Sequence, residues 1–362
     1  MVLTNQIFLS PFLMAFFISL LVTPLAIKLA WKLKFVDFPK KKAKETHTYP
    51  VPRGGGIPII VALVATALFF LPLDKHLTGI LAASLFATLI GLLDDRFDLN
   101  PYFRLLTCLG AAGIVVAAGI GIAFITNPLG GLFFLDQPRL SFSFLGQSRE
   151  IWILSSLFGL LWITWCMNFI GWSGGVEGQF PGFVGIAAIT IAALSLRFSA
   201  DIAQWPVIIL AATVAGAYFG FLPFNFYPQK IMPGYSGKSL GGLLLGILSL
   251  LSTAKIGTLL VVAGIPFIDA SYLIIKRILS GRSPFWGGRE HLHHRLLDLG
   301  WSKPKVAIFY WIITAIFGFL ALNLNSQQKF YTMVAIATVF VAFSLWLKNF
   351  TTSSSQSGQN NG

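Results

Sequence analysis

The sequence predicts an all-α polytopic membrane protein of about eleven transmembrane helices, and three observations carry that prediction. Hydrophobic residues make up 56% of the chain and charged ones 11%, with a mean hydropathy of +0.77. A water-soluble domain of 362 residues does not have that balance. Apolar runs near the length needed to cross a hydrocarbon core recur from end to end. Lys plus Arg outnumber Asp plus Glu by 26 to 13, and the excess collects in alternate polar loops.

The first apolar run, Ile7–Trp31, has neither a basic leader nor a small-residue cleavage site, so it reads as a retained helix. Pro11 and Pro24 fall inside it, which membrane helices tolerate at the cost of a kink. The next runs are Ile57–Leu73, Leu77–Leu93, Leu105–Ile125, Ile151–Phe169 and Phe183–Leu196. Trp205–Phe224, Leu240–Ser252, Ile256–Ile275, Val306–Leu324 and Phe330–Leu347 complete the set, the eighth being short enough for a re-entrant piece. Residues 1–350 form a single transmembrane domain on this reading, and 351–362 a disordered polar tail. With the N-terminus outside, inward loops collect about twenty of the 26 Lys and Arg, from Lys28–Arg53 and Lys276–Lys305 above all. The C-terminus is then cytoplasmic, and the polar loops of interest face the cytoplasm. Outside, the alternation of LSFSFLG within 127–150 predicts a short hairpin. Cys108 and Cys166 lie in apolar runs and say nothing about redox compartment. In a membrane protein the basic excess points to loop topology and anionic phosphate partners, and not to nucleic acid.

Three inward loops carry chemistry. Ser280–Trp301 holds three of the five histidines, His291, His293 and His294, among Arg282, Arg289 and Arg295. Imidazoles and guanidiniums so close together form a donor-rich cationic surface suited to phosphate oxygens. A topological basic loop, or a zinc site on His291 and His294, remains open from these residues alone. A second loop joins a lysine cluster to His47, Arg53 and Gly54–Gly56 at a helix start, where backbone amides can hold an anion; attraction to lipid headgroups explains it equally. In the third, Asp94 and Asp95 end an apolar helix and Asp98 follows one turn on. Carboxylates at a membrane boundary are costly unless they meet a metal, a base or a proton task, the alternative being solvated groups balanced by Arg96 and Arg104.

The order of these motifs resembles the polyprenyl-phosphate N-acetylhexosamine-1-phosphate transferase superfamily, glycosyltransferase family 4. That superfamily holds the bacterial undecaprenyl-phosphate GlcNAc-1-phosphate transferases and the phospho-MurNAc-pentapeptide translocases. PRGGG enters the second span, DDRFD follows the third and HLHHRL follows the ninth, so the likeness runs from Val36 to Gly300. Asn168–Gly178 lies on the family's NxxNxxDGxDG, Phe224–Lys238 on its FNxxPAxIFMGDxGS, and Pro266–Asp269 on its PxxD.

The resemblance implies transfer of a sugar-1-phosphate from a UDP-HexNAc to a polyprenyl phosphate, releasing UMP and leaving a lipid-linked sugar for envelope polysaccharide. Asp94, Asp95 and Asp98 would be catalytic, activating or orienting the acceptor. Asn168, Glu177, Lys238, Arg289, His291, His293, His294, Arg53 and Asn225 would hold phosphates or the nucleotide sugar. Mg²⁺, or Mn²⁺, would sit at Asp94, Asp95 and Asp269. The setting would be the inner (cytoplasmic) membrane, and a homodimer is compatible with it. The chain departs from the family pattern around that metal: Gly171 replaces the second Asn, Gly174 and Glu177 the two Asp of DGxDG, Tyr235 the Asp of GDxGS and Lys238 its Ser. Glycine has no ligand to offer, and a phenol with a pKa of about 10 is a poor one for Mg²⁺. Lys238 could supply some of the metal's charge as an ammonium. The alternative expectation is a relative that keeps the lipid-phosphate groove in a regulatory role without performing the transfer.

Overall fold

The computed structural model describes residues 2–39, 47–128, 130–144, 147–252, 255–283 and 288–357. The lysine cluster at 40–44 and the segment 284–287 of the histidine loop lie outside them. The described chain is helical: α1 (Val2–Lys32), α2 (Gly56–Phe70), α3 (Lys75–Phe97), α4 (Pro101–Ala117), α5 (Ile153–Trp172), α6 (Gln179–Leu196) and α7 (Trp205–Asn225) come first. Then follow α8 (Gly234–Leu251), α9 (Lys255–Val262), α10 (Gly264–Leu279), α11 (Leu292–Asp298), α12 (Lys303–Asn323) and α13 (Ser326–Ser357). Three small antiparallel pairs join them: β1 (Val36–Asp37) with β2 (Val51–Pro52), β3 (Phe124–Thr126) with β4 (Leu132–Phe134), and β5 (Arg139–Phe144) with β6 (Gln147–Trp152). The hairpin expected from LSFSFLG is β5–β6.

Every apolar run folds as helix, and the differences fall at the ends. Among the described residues six helices are long and apolar enough to cross a membrane, or seven if α9 and α10 form one span, broken by an 82° bend. At 1.5 Å per residue α2 covers only about 23 Å, short of a core of about 30 Å. The fourth run, expected to reach Ile125, stops as helix at Ala117, and its last residues pair in β3. The eighth begins earlier than its apolar run, because the polar Gly234–Ser239 is already helical. Residues 351–357 of the polar tail continue α13 with no Pro or Gly to stop it, and 358–362 lie outside the described residues.

Glycines set how closely the helices pack. On α7, Gly216 and Gly220 are four residues apart and face α1, where an added Cβ would come within 2.1 Å of the Phe12 carbonyl and 2.2 Å of the Phe16 carbonyl. This is the small-residue packing that membrane helices use in place of a hydrophobic drive. Large apolar side chains on the outside, Leu21, Phe69 and Phe319 among them, are two-thirds exposed or more, as suits a surface solvated by lipid. One extended core fills the bundle, and a smaller cluster of Val176, Leu292, Leu296, Val306 and Tyr310 seats α11 on α10 and α12. The end of α3 and the start of α2 are bonded to the start of α8, Lys238 of α8 to the turn before α6, and Glu177 of that turn to the start of α12. Asp269 of α10 holds α11, which packs His293 on Gly175, and this brings the expected site loops to one end of the bundle.

Candidate active site

Successive residues on a helix point about 100° apart, so Asp94 and Asp95 serve different neighbours. Asp95 turns to α8, accepting from the Tyr235 N–H at 2.6 Å, the Ser236 hydroxyl at 2.6 Å and the Ser236 N–H at 3.4 Å. A buried carboxylate thus caps the positive end of a helix five helices further along the chain. The approach requires Gly91, whose Cβ would lie 2.3 Å from the Ser236 Cα. Asp94 turns to α4, pairing with the Arg104 Nε and accepting from the Leu99 N–H at 3.1 Å. The Arg104 Nη2 reaches Asp98 at 2.7 Å, so two of the three acidic residues hold one guanidinium. Arg96 is not their counter-charge, because it donates to the Lys34 carbonyl and lies over Phe35.

Arg104 also lies over the Tyr235 ring, 5.2 Å from its centroid. The Tyr235 hydroxyl points inward to the Cys108 Sγ at 3.2 Å, beside Asn168, whose amide donates to the Thr164 carbonyl at 2.8 Å. A void lined by Thr107, Cys108, Met167, Tyr235 and Ser239 has a volume of about 10 Å³, at the threshold for one water. One turn on, the Lys238 Nζ donates to the Gly174 carbonyl at 2.5 Å.

The glycine-rich helix start at Gly54–Gly56 does not keep its amides for an anion, which corrects the sequence reading. The Gly55 N–H donates to the Met232 carbonyl at 3.1 Å and the Gly56 N–H to the Ser236 hydroxyl at 3.2 Å. These glycines are small because α2 meets α8 there: a Cβ on Gly56 would stand 2.7 Å from Ser236. Arg53 beside them pairs with Asp37 at 2.7 Å, and His47 lies 3.7 Å from the same carboxylate.

The turn before α6 is tied by side chains. The Gly175 and Val176 N–H groups both donate to Gln179 Oε1 at 3.1 Å, and Gly178 N–H donates to Asn225 Oδ1 at 3.0 Å. Asn225 also donates to the Ile231 carbonyl at 2.9 Å, so it knots two loops together. Glu177 is fully buried; its Oε1 accepts from Lys303 Nζ at 2.7 Å and its Oε2 has no partner. Lys303 and Gln179 escaped the sequence reading. Lys303 is 126 residues from Glu177 with nothing local to pair them, whereas Gln179 is a polar residue at the start of an apolar helix, a signal that could have been used.

The histidine loop is held by Asp269 of α10, which accepts from His291 Nδ1 at 2.7 Å and from the Leu292 N–H at 3.2 Å, capping α11. The imidazoles then stack, His291 on His293 with centroids 5.5 Å apart and His293 against His294 at 4.3 Å. His293 packs on Gly175 so tightly that a Cβ there would fall 1.8 Å from its Nε2. Burial holds His293 well below the usual imidazole range, and burial with Arg289 nearby pushes His294 down to about 4. Two of the three imidazoles are therefore neutral at pH 7, which corrects the cationic surface expected from the sequence. Their Nδ1 atoms are buried with no hydrogen-bond partner. Arg289 pairs with Asp298 at 2.5 Å, and Arg295 donates to the Glu290 carbonyl. Lys276, 2.5 Å away, holds the Glu290 carboxyl below its ordinary range.

Magnesium requires hard oxygen ligands converging on one point. Among the described residues no group of three or more His, Cys, Asp and Glu gathers in that way. Asp95 is turned to a helix start, Asp269 to His291, and Gly171 and Tyr235 supply no carboxylate or amide oxygen. The donor set does not fit the ion. An apolar groove of about 380 Å³ opens beside α3, lined by Leu33, Phe35, Leu89, Leu92, Leu93, Arg96 and Phe97.

A helical membrane protein with ionisable and glycine-rich loops joined at one end of its bundle is built for chemistry on anionic substrates at a bilayer surface. The chain belongs to glycosyl transferase family 4, whose model matches residues 77–253. It is 30% identical to the decaprenyl-phosphate N-acetylglucosaminephosphotransferase of Mycobacterium leprae over 84% of this chain and 81% of that one. It is 28% identical to a probable undecaprenyl-phosphate N-acetylglucosaminyl 1-phosphate transferase of Bacillus subtilis, covering 90% and 88% of the two chains. Against a phospho-N-acetylmuramoyl-pentapeptide-transferase of Bacillus velezensis it is 28% identical, over 85% of this chain and 94% of that one.

Proposed function

We propose that the protein transfers N-acetylhexosamine-1-phosphate from a UDP-sugar to a polyprenyl phosphate in the membrane. The observation that carries this reading is the joining of Asp94–Asp98, Tyr235–Lys238 and His291–His294 at one end of a bundle whose family performs that class of reaction. A phosphate oxygen of the lipid attacks the β-phosphorus of the donor. The new P–O bond forms as the bond to the α-phosphate bridging oxygen breaks, and UMP leaves with that electron pair. Charge spreads over the transferred group, so fixed cations lower the barrier most. Arg104, aimed by Asp94 and Asp98, and Arg53, anchored on Asp37, are placed to supply it. Neutral His293 and His294 each keep one ring N–H that can donate to a phosphate oxygen without adding charge. The groove beside α3 has the size and lining for isoprene units, with Arg96 in its wall.

In this reading eleven spans cross a bacterial inner membrane with the joined loops and the C-terminus cytoplasmic; the basic content of those loops supports the orientation. The test is UMP release by the purified protein given undecaprenyl phosphate and UDP-GlcNAc, beside an Arg104→Met variant. Release that needs both substrates and falls at least tenfold in the variant supports the reading. No release with any UDP-HexNAc refutes it and favours a binding role.

A further inference from the structure

The departures from the family pattern form one place in the fold. Tyr235 and Lys238 are three residues apart and share a face of α8. A Cβ on Gly171 would meet nothing nearer than the Lys238 Cβ at 3.8 Å. A Cβ on Gly174 would stand 3.2 Å from the Lys238 Cε and 2.9 Å from Phe180, so no larger residue fits beside the lysine. The Lys238 ammonium is held by the Gly174 carbonyl at 2.5 Å and interacts electrostatically with Asp95, Arg53 and Arg104. The missing side chain at 174 leaves room for the end of the lysine, whereas a Cβ at 171 would make only an ordinary contact with it. Of the two oxygen ligands that the resemblance implies, one is lost at Gly171 and the other is replaced by Tyr235, which turns its hydroxyl away to Cys108.

We propose that Lys238 is the resident cation of this site, and that the protein binds the donor pyrophosphate with its ammonium and without a divalent metal. This rests on the transferase reading for the identity of the donor. An ammonium is a compact point charge with three donors, suited to bridging phosphoryl oxygens. Gly174, whose carbonyl accepts from the ammonium, is the positioning residue for it.

The experiment uses the full chain in detergent and three readouts. Mn²⁺ binding is followed by electron paramagnetic resonance with no sugar present. UDP-GlcNAc binding is followed by calorimetry in EDTA and in excess Mg²⁺. UMP release with undecaprenyl phosphate is measured under the same two conditions. The proposal expects no saturable Mn²⁺ site, and donor affinity that differs less than twofold between EDTA and Mg²⁺. Lys238→Gln, which keeps an N–H for the Gly174 carbonyl, should weaken the donor at least tenfold, and Lys238→Arg should recover part of the loss. A lysine with only a structural role would leave affinity unchanged in Lys238→Gln. A stoichiometric Mn²⁺ site, or donor binding that appears only with Mg²⁺, overturns the proposal while leaving the transferase reading intact. Metal-independent donor binding without UMP release does the reverse: Lys238 stands as the resident cation, and the transferase reading falls.

Discussion

Asp95 gives the sharpest test of what the acidic motif does. Its two short bonds to the start of α8, from the Tyr235 N–H and the Ser236 hydroxyl at 2.6 Å each, are charge-assisted. Bonds to a charged group contribute about 1.5–3 kcal/mol each, and a negative charge at a partly buried helix start adds up to about 2 kcal/mol. Asp95→Asn keeps one acceptor oxygen, loses the charge and turns an amide N–H toward another donor, so a loss of about 3 kcal/mol is expected. Ser236→Ala removes one bond to Asp95 and also deprives the Gly56 N–H of its acceptor, for about 2 kcal/mol. Because the two changes share a bond, the double variant should fall short of their sum by about 1–2 kcal/mol. The assay is reversible unfolding in mixed micelles, read by tryptophan fluorescence for all three variants and the native chain. If Asp95→Asn unfolds within about 0.5 kcal/mol of native, the size of an ordinary surface change, Asp95 does not hold α8.

Three further outcomes follow from the same geometry. His294, held near 4 by burial, and His293, held by burial well below the usual imidazole range, bind protons more weakly folded than unfolded, where an imidazole titrates near 6.5. Their contribution is complete above about pH 6.5 and is lost as pH falls through about 4, with His294 alone accounting for up to about 3 kcal/mol. Unfolding midpoints of native and His294→Asn protein between pH 7 and pH 4 check it, and parallel profiles would refute it. Gly175→Ala places a Cβ 1.8 Å from His293 Nε2, so α11 must lift; protease sensitivity near 288–299 should rise while the bundle stays folded. Lys303→Met leaves Glu177 buried without its cation, at an expected cost of about 3 kcal/mol, and Glu177→Gln added to it should recover part of that loss.

The helices were legible because apolar length is a one-dimensional property: all eleven runs recur as helix, and LSFSFLG recurs as β5–β6. Their ends were less so. Gly234–Ser239 is helical because Asp95, 139 residues and more away, caps it, and no local pattern announces such a cap. For the site, sequence order brought forward loops that the fold joins at one end of the bundle, and misjudged some of their tasks. The Gly54–Gly56 amides resembled an anion nest only while Met232 and Ser236 were unseen. The HLHH run looked cationic because burial, which neutralises His293 and His294, is a property of the packed state.

One division of labour accounts for most of these differences. Asp95 and Asp269 each accept a backbone N–H at a helix start, Asn225 accepts one before another, and Asp94 and Asp98 hold Arg104. Most of the acidic motif residues are thus engaged by the fold itself, which leaves few oxygens for a metal. In the proposed reading, Arg104, aimed by Asp94 and Asp98, and Lys238, held by the Gly174 carbonyl, are what remains to meet phosphate. A site that concentrates like charges is relieved by an anion, and in the proposed reading a pyrophosphate donor or a lipid phosphate would supply it. On that logic Lys238 and the space left by Gly174 belong to one rearrangement. Restoring Asn or Asp at a single position should therefore impair the protein more than it helps.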